Sequence, residues 1–180
     1  MQEQEIVHYL RLLGEELAAL RLRRPVRLLM VGGAYMITQI GNRANTMDVD
    51  VFVRIDPESE DYRQFQNAVR FIASDMHLRA TWLNNLVGEI LESTGKVPTG
   101  NCWLKHGMLE IYTPDPGYIL VLKLLAGREK DLADIEALLH HLGITKRKQV
   151  ETFLKKYVSK STLEEHREEL HDLLDDFFQG

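Results

Sequence analysis

The chain has 180 residues, 44% of them hydrophobic, which suits one globular domain or a domain with a small helical appendage. A formal net charge of -5 excludes a binder of nucleic acid that is basic along its whole length, while leaving room for a local basic patch. The one cysteine, Cys102, provides neither a disulfide framework nor a thiolate metal site.

The N-terminus lacks a basic segment followed by an apolar one, and no run approaches the roughly 18 apolar residues of a membrane span. A cytoplasmic protein with no membrane partner is expected. Ile6, Leu10, Leu13, Leu17 and Leu20 recur at helical spacing and predict an amphipathic helix over about residues 3 to 22. Pro25 separates it from VRLLMV, which reads as a buried strand ended by Gly32-Gly33; AYMITQI then begins a helix. GNRANT is turn chemistry, and DVDVFVRI is a second strand closed by Asp56-Pro57. A helix follows from about residue 60 to 79, and WLNNLVGEILES is a further helix or an irregular segment. CWLKHGMLEIY reads as a strand pair turning at His106-Gly107. From Tyr118 onward the pattern is helical, with breaks near Gly127, Gly143 and Ser159–Ser161. The sum is an α/β (α+β) chain: a small mixed sheet flanked by helices, with a helical C-terminal part. The division expected is a domain over 1–142 and a helical extension over 143–180.

The second strand carries the chemistry. Asp48 and Asp50 lie two apart and share a face, while Val49, Val51 and Val53 take the other. Two neighbouring carboxylates repel unless a cation sits between them, and Mg²⁺ (or Mn²⁺) suits such oxygen ligands. Glu110, between Leu109 and Ile111, is a third acid in an apolar run. Three such carboxylates on adjacent strands can hold two metal ions roughly 4 Å apart for phosphoryl or nucleotidyl transfer. Gly32-Gly33 lets backbone approach a triphosphate at the start of a helix. Taken singly, each piece also has an ordinary reading: a tight turn, edge-strand acids or a Ca²⁺ site, a solvated glutamate.

Further along, Lys123 interrupts the apolar run YILVLKLLA, where a cation is costly unless it meets a negative partner or reaches solvent. Arg128, Asp131 and Asp134 are spaced three apart and share a helical face, so the acids can orient the guanidinium. A Lys and an Arg facing a triphosphate would neutralise the leaving pyrophosphate; an ordinary charged face is the other reading. His77, His106, His140 and His141 have no ligand-spaced companions. Basic clusters at Arg21, Arg23, Arg24 and Arg27, and at Lys146, Arg147, Lys148, Lys155 and Lys156, read as solvated faces, or as steering for a polyanion if they lie beside the acids.

In combination, Gly32-Gly33, Thr46, Asp48-Val49-Asp50 and Glu110 resemble the signature of the nucleotidyltransferase fold of the DNA polymerase β superfamily. KLLAGREKDLADIEALL and Trp82-Leu83-Asn84 are similar to its abortive-infection-type toxin branch and related bacterial domains of unassigned function. The likeness spans about residues 25 to 142. It implies transfer of a nucleoside monophosphate from an NTP to an acceptor. Asp48, Asp50 and Glu110 would serve the metals, with Glu110 also positioning the acceptor hydroxyl. Gly32, Gly33 and Thr46 would hold the triphosphate, Lys123 and Arg128 its charge, with Asp131 and Asp134 in support. RNA such as tRNA or a protein hydroxyl is the favoured acceptor, within a toxin–antitoxin pair that would include an antitoxin partner. An inactive binding module and an antibiotic-modifying enzyme are the alternatives.

Overall fold

The computed structural model describes residues 1–20, 22–85 and 97–178. They divide into two compact units, Met1–Gly88 with Thr99–Pro114 and Glu89–Pro98 with Asp115–Gly180. The boundary in the C-terminal half thus falls at Pro114–Asp115, ahead of the division after residue 142 that the sequence suggests. Helices on either side of residue 142 both pack on the helix that opens at Pro116.

The first unit holds a five-stranded mixed sheet. Its elements are α1 (Glu3–Ala19), β1 (Val26–Val31), α2 (Gly32–Tyr35, continuing as a π-turn over Met36–Ile40), β2 (Val49–Val53), α3 (Glu60–Asp75), β3 (Leu83–Asn84), β4 (Asn101–His106) and β5 (Leu109–Thr113). The strand order is β3-β2-β1-β5-β4; β1 runs antiparallel to β2 and parallel to β5. Strand alternation sorts the side chains into two faces. Val26, Leu28 and Met30, Val49, Val51 and Val53, and Leu109 and Ile111 join α1 and α3 in one apolar core. Arg27, Leu29, Val31, Asp50, Phe52, Glu110 and Tyr112 take the opposite face by the same alternation.

Ile6, Leu10, Leu13 and Leu17 of α1 are fully buried, each contributing about 1.5–3 kcal/mol on the usual transfer scale. The expected segment over residues 82–93 opens instead with the short strand β3, which pairs parallel with β2; the rest of it lies outside the described residues. Trp82 anchors this edge, its buried indole N–H donating to the Val69 carbonyl of α3 at 3.1 Å. Among the described residues no helix is long and apolar enough to cross a membrane.

The second unit is helical: α4 (Pro116–Ala126), a 3-10 turn (Glu129–Asp131), α5 (Leu132–His141), α6 (Arg147–Tyr157), α7 (Lys160–Glu165) and α8 (Arg167–Phe178). Asp115 caps α4 by accepting from Gly117 N–H at 2.8 Å, Pro116 occupies the first turn, and Gly127 ends it in a left-handed conformation.

Two glycines let α1 sit on the β4–β5 turn. A Cβ at Gly14 would lie 2.3 Å from the His106 carbonyl oxygen, and one at Gly107 would lie 2.1 Å from that of Gly14. Met108 N–H donates to Gly14 across the same contact at 3.1 Å. Because the obstacle is backbone, Gly14→Ala should lower the unfolding free energy by about 1–3 kcal/mol, seen as a lower urea midpoint. An unchanged midpoint would mean that α1 does not approach the turn this closely.

Candidate functional site

At the C-terminal end of β1 the chain turns into α2 through Gly32, whose φ is +65°. A Cβ there would fall 2.2 Å from Asp50 Oδ2 and 3.0 Å from Asp50 Cβ. A Cβ at Gly33 would fall 2.5 Å from Thr46 Oγ1 and 3.7 Å from an Arg43 Nη1. The loop between α2 and β2 therefore folds down onto the two glycines, and the missing side chains are what admit it. The Thr46 hydroxyl donates to the Asp48 carbonyl at 3.1 Å and fixes the approach to β2.

Asp50 pairs with Val31 on β1 and with Asn84 on β3. Asn84 Nδ2 lies 3.5 Å from Asp48 Oδ2. Asp48 stands just ahead of β2 rather than in it, and both aspartates are half-buried. The structure thus brings together Gly32, Gly33, Thr46, Asp48 and Asp50, and adds Arg43 and Asn84. Sequence reasoning passed over Arg43, and noted Asn84 only within the Trp82-Leu83-Asn84 likeness, with no role at the site. Arg43 hides in the turn GNRANT, and Asn84 sits in a strand too short to show a period. The two carboxylates are hard oxygen donors, a set that fits Mg²⁺, which usually takes one or two carboxylates plus water and phosphate.

Glu110 does not join them. It pairs with Arg27 on β1, whereas Asp50 pairs with Val31. The separation is about 13 Å along the strands and about 10 Å across them. The Glu110 carboxylate is buried and accepts from Lys105 Nζ at 2.6 Å, Arg27 Nε at 3.0 Å and the Tyr112 hydroxyl at 2.9 Å. The Lys105 hydrogen bond, then those of Tyr112 and Arg27, hold its pKa below the usual carboxylate range against burial. Such a group stays ionised and is a poor acceptor of a proton. The expected three-carboxylate centre is not assembled: among the described residues no group of three acidic, histidine or cysteine side chains could hold a metal.

In the second unit, Lys123 is 5% exposed and Asp131 and Asp134 1% each. The Lys123 ammonium lies 2.6 Å from Asp131 Oδ1 and 2.6 Å from Asp134 Oδ2. Arg128 Nε meets the other oxygen of Asp131 at 2.6 Å, its side chain otherwise largely exposed. The left-handed break at Gly127 and the 3-10 turn after it bring the acids back under α4. Asp131 orients Arg128 as the spacing predicts, but Asp134 serves Lys123 instead. The pairs of Lys123 and Arg128 with Asp131 and Asp134 fasten α4 to α5.

No family model matches the chain, and neither a curated protein nor a solved structure matches it.

Removing one member of a buried ion pair leaves the other uncompensated. Lys123→Met should destabilise the protein by about 3–5 kcal/mol in chemical denaturation, and a loss under about 1 kcal/mol would mean that the ammonium is not buried. Burial pushes the Asp131 carboxyl up, but the Lys123 and Arg128 bonds outweigh it and leave its pKa lowered. A carboxylate depressed on folding contributes stability that is complete above its unfolded pKa, about 3.9, and is lost as pH falls through the folded value. The stability of the native chain should therefore fall below about pH 4, and Asp131→Asn should flatten that limb while lowering stability at neutral pH.

Proposed function

We propose that the chain is a Mg²⁺-dependent nucleotidyltransferase of the DNA polymerase β type, moving a nucleoside monophosphate from an NTP to a hydroxyl acceptor. The observation that carries this reading is the Gly32-Gly33 corner closed against Thr46 and Asp50, with Asp48 beside Asn84 at the same strand ends. Glycine backbone at a strand-to-helix turn presents N–H groups to phosphate oxygens at close range. Arg43, over Gly33, supplies positive charge there. Asp48 and Asp50 hold the metal, with Asn84 next to both. A metal ion held there would offset charge on the phosphates.

In the reaction the acceptor oxygen attacks the α-phosphorus. A new P–O bond forms, the bond to the β-phosphate oxygen breaks, pyrophosphate departs and the hydroxyl proton passes to solvent. Glu110 takes no part, because its carboxylate is held by Lys105, Arg27 and Tyr112. Lys123 acts as a structural staple, its ammonium already shared between Asp131 and Asp134. RNA or a protein hydroxyl is the acceptor class, and a toxin–antitoxin pair in the cytoplasm is the setting.

One observation favours a second reading, a fold that binds nucleotide without transferring it: Glu110 faces Arg27 on β1 while Asp50 faces Val31, and its carboxylate is engaged by Lys105, Arg27 and Tyr112. Thermal stabilisation by each NTP, with and without Mg²⁺, followed by transfer of α-labelled nucleotide to extract RNA and protein, separates the two. A nucleotide at a hundred times its Kd should stabilise the native chain by about 2.7 kcal/mol, and only with Mg²⁺. Asp48→Asn/Asp50→Asn should abolish both stabilisation and labelling. Stabilisation without label selects the binding module; neither, with a folded protein, ends the nucleotidyltransferase reading. Glu110→Gln should keep the Mg²⁺-dependent stabilisation, and its loss in a variant of native fold would return Glu110 to the metal set.

A further inference from the structure

Along α3, Tyr62, Gln66 and Arg70 recur at every fourth position and form one ridge, with Phe65 and Val69 on the ridge beside it. Between this helix and the β2–β3 edge of the sheet lies a pocket of about 200 Å³. Its floor is apolar: Phe65, Val69, Val53 of β2 and Leu83 of β3 line it, each no more than 7% exposed. Half-buried Tyr62 and exposed Gln66, Arg70 and Asn85 supply the polar lining. No acidic side chain lines it among the described residues. An apolar floor with a few polar groups around it is the usual make-up of a small-molecule site.

The polar lining is biased towards donation. Asn85 Oδ1 accepts from the Val53 backbone N–H at 3.1 Å. A backbone N–H can be met only by the amide oxygen, so the Asn85 Nδ2 hydrogens are left for another partner. Arg70 gives an Nη2 hydrogen to Asn67 Oδ1 at 2.6 Å, a small part of a five-donor guanidinium. Its neighbours three and four residues away on α3 are Gln66, Asn67, Ala73 and Ser74, so its own helix offers it no acid. The Tyr62 and Phe65 rings, 6.2 Å apart and tilted by 37°, give the pocket an aromatic wall. An apolar cavity of about 150 Å³ holds benzene, so this one has room for a ring with a short substituent.

We propose that this pocket binds a small aromatic carboxylate. The ring lies on Val53, Val69 and Leu83 beside the Tyr62–Phe65 pair. The carboxylate meets the Arg70 fork and takes a further hydrogen from Asn85 Nδ2. A neutral ring would leave the guanidinium unmatched, and a short aliphatic acid would forgo the aromatic wall. A polyphosphate would bring several charges to a pocket whose lining offers one cation. The proposal stands without the transfer reading: the pocket lies on the core side of β2 with Val53, and Asp50 takes the opposite face.

The test is saturation-transfer NMR of the full chain with benzoate, cinnamate, benzamide and acetate in turn, at millimolar concentration and neutral pH. Benzoate and cinnamate should receive saturation and displace each other. Benzamide should bind about tenfold or more weakly, because it lacks the charge, and acetate should not bind. Arg70→Gln should weaken benzoate about tenfold or more and leave benzamide unchanged. Ala80→Phe, at an exposed position in the lining, should fill the pocket and abolish binding of both. Both variants alter exposed side chains, and unchanged unfolding midpoints certify their folds. Asp48→Asn/Asp50→Asn should bind benzoate as the native chain does, whatever it does to nucleotide-induced stabilisation. The proposal is overturned if neither aromatic acid receives saturation from the folded native chain, or if benzamide binds as well as benzoate. Native affinity in Arg70→Gln, or retained binding in a folded Ala80→Phe, also overturns it, since the acid would then sit elsewhere.

Discussion

Gly32 turns the chain from β1 into α2 with a positive φ, and the Asp50 carboxylate lies where any other residue would carry a Cβ. The rest of the candidate site follows from that close packing. The loop from Gly41 can descend onto Gly33, Thr46 can tie itself to the Asp48 carbonyl, and Arg43 can come over the corner. A side chain at either glycine would collide with Asp50 or Thr46, so the fold and the candidate site share one steric condition.

The same alternation that buries three valines of β2 gives the opposite face its ordered chemistry. Register then decides which residues meet there. Because β5 runs parallel to β1 with Glu110 opposite Arg27, its acid comes to the basic end of the face rather than to the aspartates. A buried carboxylate needs donors, and Arg27, Lys105 and Tyr112 supply them. Lys123 obeys the converse rule in the second unit, where a buried ammonium has drawn in two carboxylates. Both residues look catalytic in a string of letters, and both are fully engaged in holding their surroundings.

What could be read in advance was what is local. The amphipathic period of α1, the strand on either side of Gly32-Gly33, the β4–β5 turn at Gly107 and the break at Gly127 all have their causes within a few residues. Gly32, Thr46, Asp48 and Asp50 could be grouped because one short connection joins them. Glu110 could not be placed, since an acid between Leu109 and Ile111 looks alike whichever end of β1 it faces. Only long-range register, set by Val26 against Leu109, distinguishes the two. Asn84 stood out only through the Trp82-Leu83-Asn84 likeness, and its place beside the aspartates was hidden because two paired residues carry no period. That Lys123 needed an anion was legible; that Asp134 would be one of them depended on a 3-10 turn that no spacing rule foretells.

Trp82 adds an optical consequence. The chain has two tryptophans, and Trp82 is the fully buried one. Its indole is tethered to α3, it meets Tyr9 edge-on at 6.1 Å, and its own carbonyl accepts from Val49 at 2.7 Å. It thus stands one residue before the core-facing Leu83 and two before Asn84, at the margin of the aspartate pair. Any rearrangement of that sheet edge would change the polarity around a fluorophore already in place, so the protein emits a native report on its own candidate site.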